Sequence, residues 1–149
     1  MRSLHTWSVS ANLDLVRSIF AAWERGDFSS VEWADPEIEF VFDGGHPVSS
    51  TGMAGMVEGL RDFLSAWEGF CVEADEYREL NGDRVLVLTH FSGREKTSEL
   101  QVAQIWGKGA HLFQVRGGKV KRFVRYWRRE RALADLGLSP GAGAADTPG

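Results

Sequence analysis

The apolar pattern of this chain is mainly helical in period before Gly69 and mainly alternating after it, and that order limits the folds open to it. Before it, apolar residues recur at three- and four-residue spacing, the repeat of an amphipathic helix. After it they alternate, the repeat of a half-buried strand. From Asn12, the residues Leu13, Val16, Phe20 and Trp23 share a helical face with Ile19 beside them. Ser10 or Asn12 caps the start, and Gly26 supplies the stop. Met53, Met56, Val57, Leu60, Phe63, Leu64 and Trp67 mark a second helix ending at Gly69. Between the two, "DFSSVEWADP" reads as a short helical turn ended before Pro36, "EIEFVF" as a strand, and "DGGHPVSSTG" as a turn-rich loop.

Downstream, "FCVEADEYREL" and "RVLVLTHFSG" are strands joined by an "NGD" turn, and "SELQVAQIW" begins a third, with Gly107 and Gly109 as bulge positions. "GAHLFQVRGGKVKRFVRYW" (Gly109–Trp127) is a hairpin pivoting on Gly117-Gly118, and "RRERALADLGL" is a short helix after it. Segregated helices and strands indicate α+β. The expected architecture is a conical barrel, a strongly curved and mainly antiparallel sheet packed against about three N-terminal helices. The expected organisation is a flexible arm over 1–11, one domain over 12–138 and a disordered tail over 139–149.

Alternation places His111, Phe113 and Val115 on one face of their strand. In the next strand it groups Phe123, Arg125 and Trp127 against Val120, Val124 and Tyr126. A strand apolar on both faces is covered on both faces, so a homodimer is expected, with the outer face meeting the partner. His90 shares a face with Leu86 and Leu88. Six tryptophans and nine phenylalanines furnish either a core of large side chains or the walls of an apolar cavity.

A net charge of −4 argues against a general nucleic-acid binder, although a basic run lies between Lys108 and Arg131 and reads as a solvated face. Cys71 is the single cysteine, so no intrachain disulfide forms. No apolar stretch reads as a signal peptide or membrane span, and a cytoplasmic location is the default expectation. No two histidines share an element at ligand spacing, so no metal site is expected. GxGxxG, P-loop, GxSxG and CxxC patterns are absent.

The segments "VRSIFAAWERGDFSSVEWADPEIEF", "TGMAGMVEGLRDFLSAW", "YRELNGDRVLVLTHFSGR" and "LFQVRGGKVKRFVRYWRRERALADLGL" resemble the SnoaL-like branch of the nuclear transport factor 2-like superfamily, which has a ketosteroid isomerase and polyketide cyclase-like fold. The resemblance spans about Asn12 to Leu138 and implies a conical α+β domain, commonly dimeric, with one apolar pocket and no obligatory cofactor. It does not select a reaction.

Matched residue by residue, the resemblance puts a carboxylate base at Asp43 and an oxyanion-stabilising group at His111, with a pocket aromatic at Trp127. Read from the residues alone, Asp43 is first an Asx-turn residue before Gly44-Gly45, and the other reading of His111 is a hydrogen-bonded core residue. Arg125, if inward, pairs with a carboxylate such as Asp43 or binds an anionic substrate group. The phenol that isomerases carry on the first helix is replaced by Ile19, and Arg128 stands where relatives often have an acid.

The expected function is therefore a pocket for a small hydrophobic molecule. As an enzyme it would be a cofactor-independent isomerase, cyclase, dehydratase or epoxide hydrolase using Asp43 and His111. Its substrate contacts would be Trp23, Phe20, Phe63, Trp127, Arg125 and His90. The alternative is a non-catalytic ligand-binding or dimerising module.

Overall fold

A computed structural model describes residues 4–80, 83–96 and 102–138. The first helix, α1, spans Leu4–Glu24 and so begins earlier than the apolar spacing from Asn12 predicts. The side chains of its first seven residues, His5 among them, lie outside the described set. So do residues 1–3 of the expected arm, Asn81 and Gly82 of the "NGD" turn, the start of "SELQVAQIW", and the tail over 139–149.

Gly26, at φ 85°, ends the turn after α1. The stretch expected as a helical turn is instead an irregular connection with one turn closed by Ala34 N–H on Val31 O. Pro36 then falls inside strand β1 (Ala34–Asp43), which pairs with β2 (Pro47–Thr51) where the sequence suggested a loop. Helix α2 (Met53–Ser65) follows, then the long strands β3 (Trp67–Leu80), β4 (Arg84–Lys96), β5 (Val102–Arg116) and β6 (Lys119–Tyr126). A short helix, α3 (Arg129–Asp135), closes the described chain. Two of the three helices are thus N-terminal and the third is C-terminal.

The sheet is mixed and mostly antiparallel, in the order β2-β1-β6-β5-β4-β3, with β1 parallel to β6. It curves into an α+β cone. The β4–β5 ladder runs unbroken from Arg84↔Gln114 to Lys96↔Val102, so Gly107 and Gly109 make no bulge. Gly109 answers a different need: a Cβ there would sit 2.7 Å from Tyr126 O, so only hydrogen lets the two strands approach this closely.

One irregularity decides which side chains meet. The Gly117-Gly118 turn starts the last hairpin at Arg116↔Lys119, but the register shifts between Val115↔Val120 and Gln114↔Arg122. Continued without that extra residue, the ladder would set Val124 opposite His111. With it, Arg125 lies opposite His111. The same bulge puts Val120 and Phe123 in one apolar cluster, correcting the assignment of Val120 to the face of Val124 and Tyr126.

The two faces of the sheet have separate cores. Val16, Ile19, Phe20 and Trp23 of α1 and Met56 of α2 bury the inner face with Ile38, Phe40, Val87, Phe113 and Phe123. Leu86, Leu88, Leu112, Val124 and Tyr126 of the outer face pack with Ala132 and Leu133 of α3. The covering that the strand pattern assigned to a partner chain therefore comes, at these residues, from the chain's own helix. Arg128 is the N-cap of α3 and makes no side-chain capping bond, as expected where a basic residue stands in place of an acid.

Candidate functional site

Register builds the site. Phe42 pairs with Arg125, Arg125 with His111, His111 with Val87, and Val87 with Tyr77, so one residue from each of five strands falls in a single cross-strand row. The row crosses the inner face beneath α1 and α2. Its two polar members are buried, His111 at 4 % and Arg125 at 8 % exposure.

Arg125 Nε donates to His111 Nε2 at 3.2 Å. A guanidinium has only donors, so Nε2 must be the acceptor, and the neutral imidazole then carries its proton on Nδ1. That Nδ1 is buried and has no hydrogen-bond partner. Around the ring stand Phe20, Trp23, Phe123 and Phe113, with centroids 5.2, 5.6, 5.5 and 6.3 Å away. Burial, and then the guanidinium charge, holds the His111 pKa well below the ordinary imidazole value. The histidine is a neutral donor with an unused N–H.

The guanidinium is unusual in its own way. Among the described residues no carboxylate pairs with Arg125, and burial pushes its pKa down to about 10. Its carbon lies 4.2 Å from the ring centre of Phe63 and 5.6 Å from that of Phe42. Ring faces offset part of the missing counter-charge.

Two openings adjoin this pair. A small apolar cavity bordered by Trp23, Leu60, Phe63, Phe70, His111 and Arg125 has a volume of about 20 Å³. That is room for about one water, which needs roughly 10–15 Å³. An open groove of about 510 Å³ runs between the β1–β2 hairpin and α2, with Phe42, Ser49, Ser50 and Gly59 on its walls. Arg125 and Phe63 border both, so they form the partition between cavity and groove.

Asp43 lies elsewhere. It is buried at 3 % exposure, but its Oδ1 accepts from Gly45 N–H at 3.1 Å and its Oδ2 from Arg131 Nε at 3.2 Å. It faces α3 across the sheet from His111, in a recess shared with Arg128, Glu130 and Ala134. The structure does not bring the expected base and the expected donor together, nor does Asp43 pair with Arg125. The Asx-turn bond to Gly45 is present.

Of the expected substrate contacts, Trp23 and Phe63 border the cavity. Phe20 packs on His111 from within the core, 5.2 Å between ring centres. Trp127 packs tilted on Phe91, 4.3 Å between ring centres, and is not part of the cavity lining, although Phe63 of that lining lies 6.1 Å away. His90 is half-exposed and outside the cavity, with Nδ1 2.6 Å from Asp75 Oδ1 and Nε2 3.1 Å from Glu73 Oε1. Sequence reading missed Phe42 and Leu60 as neighbours of Arg125 and the cavity. The signal for Phe42 was its phase with Ile38 and Phe40, and for Leu60 its spacing from Phe63 and Leu64. Among the described residues no group of three metal-ligating side chains occurs, and no helix is long and apolar enough to cross a membrane.

Comparison with known proteins agrees with this geometry at the level of fold. A SnoaL-like polyketide cyclase, so named provisionally, from Jannaschia superposes with a TM-score of 0.67 at 14% identity, covering 78% of this chain and 85% of that one. TerC, crystallised with polyporic acid, gives a TM-score of 0.65 at 20% identity over 85% and 97% of the two chains. A nuclear transport factor 2-like protein of unknown function from Burkholderia pseudomallei gives 0.67 at 17% identity over 83% and 95%. No curated protein matches in sequence. Residues 16–123 match the SnoaL-like domain, and the chain belongs to that family.

Proposed function

We propose that this domain binds a small hydrophobic molecule at the cone, with the Nδ1–H of His111 donating to an oxygen of the ligand. One observation carries the reading: a buried imidazole N–H with no partner, set among aromatic rings beside a cavity. An unmet buried donor costs about 1–3 kcal/mol, and a ligand oxygen would remove that cost. The apolar walls supply affinity and the polar pair supplies orientation, the usual division in a small-molecule site.

The geometry favours binding and polarisation of an oxygen over proton abstraction. His111 Nε2 is taken by Arg125, its pKa is low, and Asp43 lies across the sheet. As an enzyme, such a site would act by stabilising negative charge that develops on a substrate oxygen. A cyclase-like reaction, in keeping with the polyketide cyclase among the fold neighbours, needs such stabilisation and is the second reading.

Fluorescence titration with 2-naphthylmethanol and naphthalene tests the proposal, with Trp23 as reporter. The alcohol is expected to bind about tenfold more tightly than the hydrocarbon, a difference of about 1.4 kcal/mol, and His111→Phe to erase the difference. Equal binding of the two compounds to the native protein would defeat it.

A further inference from the structure

We infer that the ligand is a monoanion: an acidic group held between Arg125 and His111, on an apolar body lying in the groove between the β1–β2 hairpin and α2. The inference rests on the reading of the cone as a ligand site and adds the charge and placement of the ligand.

The charge comes from what Arg125 lacks. A buried guanidinium without a carboxylate is a standing cost to the fold. Glu58 and Asp62 share the groove wall with Arg125 but form no ion pair with it, and three other carboxylates are committed elsewhere. Asp43 bonds Arg131, Glu39 bonds Arg122 and Asp75 bonds Arg129. Nε is used on His111. A planar acidic group meeting the remaining guanidinium donors forms the charge-assisted bonds for which this side chain is suited. The His111 Nδ1–H, on the ring edge away from its bond with Arg125, is the second donor assigned to the group. Guanidinium and orphaned imidazole N–H together thus make two donors and no acceptor, the polarity of an anion site.

The placement comes from volume. A cavity of about 20 Å³ cannot take a ring, since an engineered cavity that binds benzene is about 150 Å³. The groove, at about 510 Å³, can. Arg125 borders both, so an acidic head reaches the pair while the body stays outside the small cavity. Gly55 and Gly59 keep α2 close over this groove: a Cβ on them would lie 3.1 Å from Ser50 Oγ and from the Phe40 ring. Phe63, stacked on the guanidinium, is the side chain that must swing for the head to enter.

The limit to one charge comes from the rim. Glu58 and Asp62 of α2 stand on the groove wall, with no basic residue besides Arg125 among its lining. A second anionic group at the far end of the ligand would face them.

Three probes at pH 7.5 test the inference on the full chain: 2-naphthoate, 2-naphthylmethanol and 2,6-naphthalenedicarboxylate. Naphthoate is expected to bind at least about tenfold more tightly than the alcohol, and the dicarboxylate about threefold more weakly than naphthoate. Arg125→Met is expected to equalise naphthoate and alcohol, and Glu58→Gln with Asp62→Asn to restore the dicarboxylate. Equal affinities of acid and alcohol for the native protein would overturn the anion site and leave the ligand cone standing. A preference for the acid that survives in Arg125→Met would also overturn it. Binding of none of the probes would remove the ligand cone as well.

Discussion

Arg125 donates to a neutral His111 at 3.2 Å, inside an aromatic shell and with no carboxylate partner among the described residues. A folding argument alone does not select this pair, because two apolar residues of similar volume would pack without the charge. The proposed anionic ligand would supply the counter-charge the pair lacks. Four consequences are open to measurement.

Acid should destabilise the fold through His111. Its folded pKa is depressed, so the unfolded chain takes up a proton near pH 6.5 that the folded chain refuses. Stability is complete above that value and falls as the pH drops below it toward the folded pKa. Between pH 7.5 and 5.5 the loss attributable to this residue is about 1 kcal/mol. Urea denaturation at the two pH values, native against His111→Phe, reads it: the variant should show a flatter dependence.

Replacing both polar members at once should stabilise the domain while abolishing acid binding. Arg125→Met alone strands the Nε2 acceptor of His111, so the gain from losing a buried charge is partly offset. The double variant Arg125→Met with His111→Phe removes both groups and should raise stability by about 1–4 kcal/mol. Thermal unfolding measures the gain, and a double variant less stable than the native chain contradicts the account.

Asp43→Asn should lower stability by about 1 kcal/mol through its buried bonds to Gly45 and Arg131. Binding of 2-naphthoate should change by less than about twofold, since Asp43 lies across the sheet. A tenfold loss of affinity in that variant would return Asp43 to the site.

Gly109→Ala should cost about 2 kcal/mol, because its methyl would meet Tyr126 O at 2.7 Å, a backbone atom with little room to yield. Chemical denaturation checks it. The affected strand end carries Arg125 one residue before Tyr126, so naphthoate affinity should fall together with stability.

Much of this arrangement was legible in the sequence, and its gaps have physical causes. Period alone separated helix from strand, and parity put His111 with Phe113 and Arg125 with Phe123, as the inner core shows. Parity also held a warning that the family resemblance obscured. With Ile38, Phe40 and Phe42 facing inward, Asp43 is out of phase and belongs to the other face. The bulge in β6 was not legible, because an extra residue in one strand shows only against its partner, and Val120 was misplaced for that reason. The β2 strand was hidden by turn-forming residues. Its backbone finds partners on β1, while most of its side chains stay exposed and leave no alternation to read. The small size of the cavity depends on how rings fill a volume, and no spacing rule reports that.

Nitrogen-15 NMR of the His111 imidazole tests the central claim most directly, with and without saturating 2-naphthoate at pH 7. The account predicts a neutral ring protonated at Nδ1 in the free protein, and an Nδ1 resonance that shifts when the acid binds. A ring that titrates near pH 6.5, or an Nδ1 resonance unmoved by bound naphthoate, would contradict it.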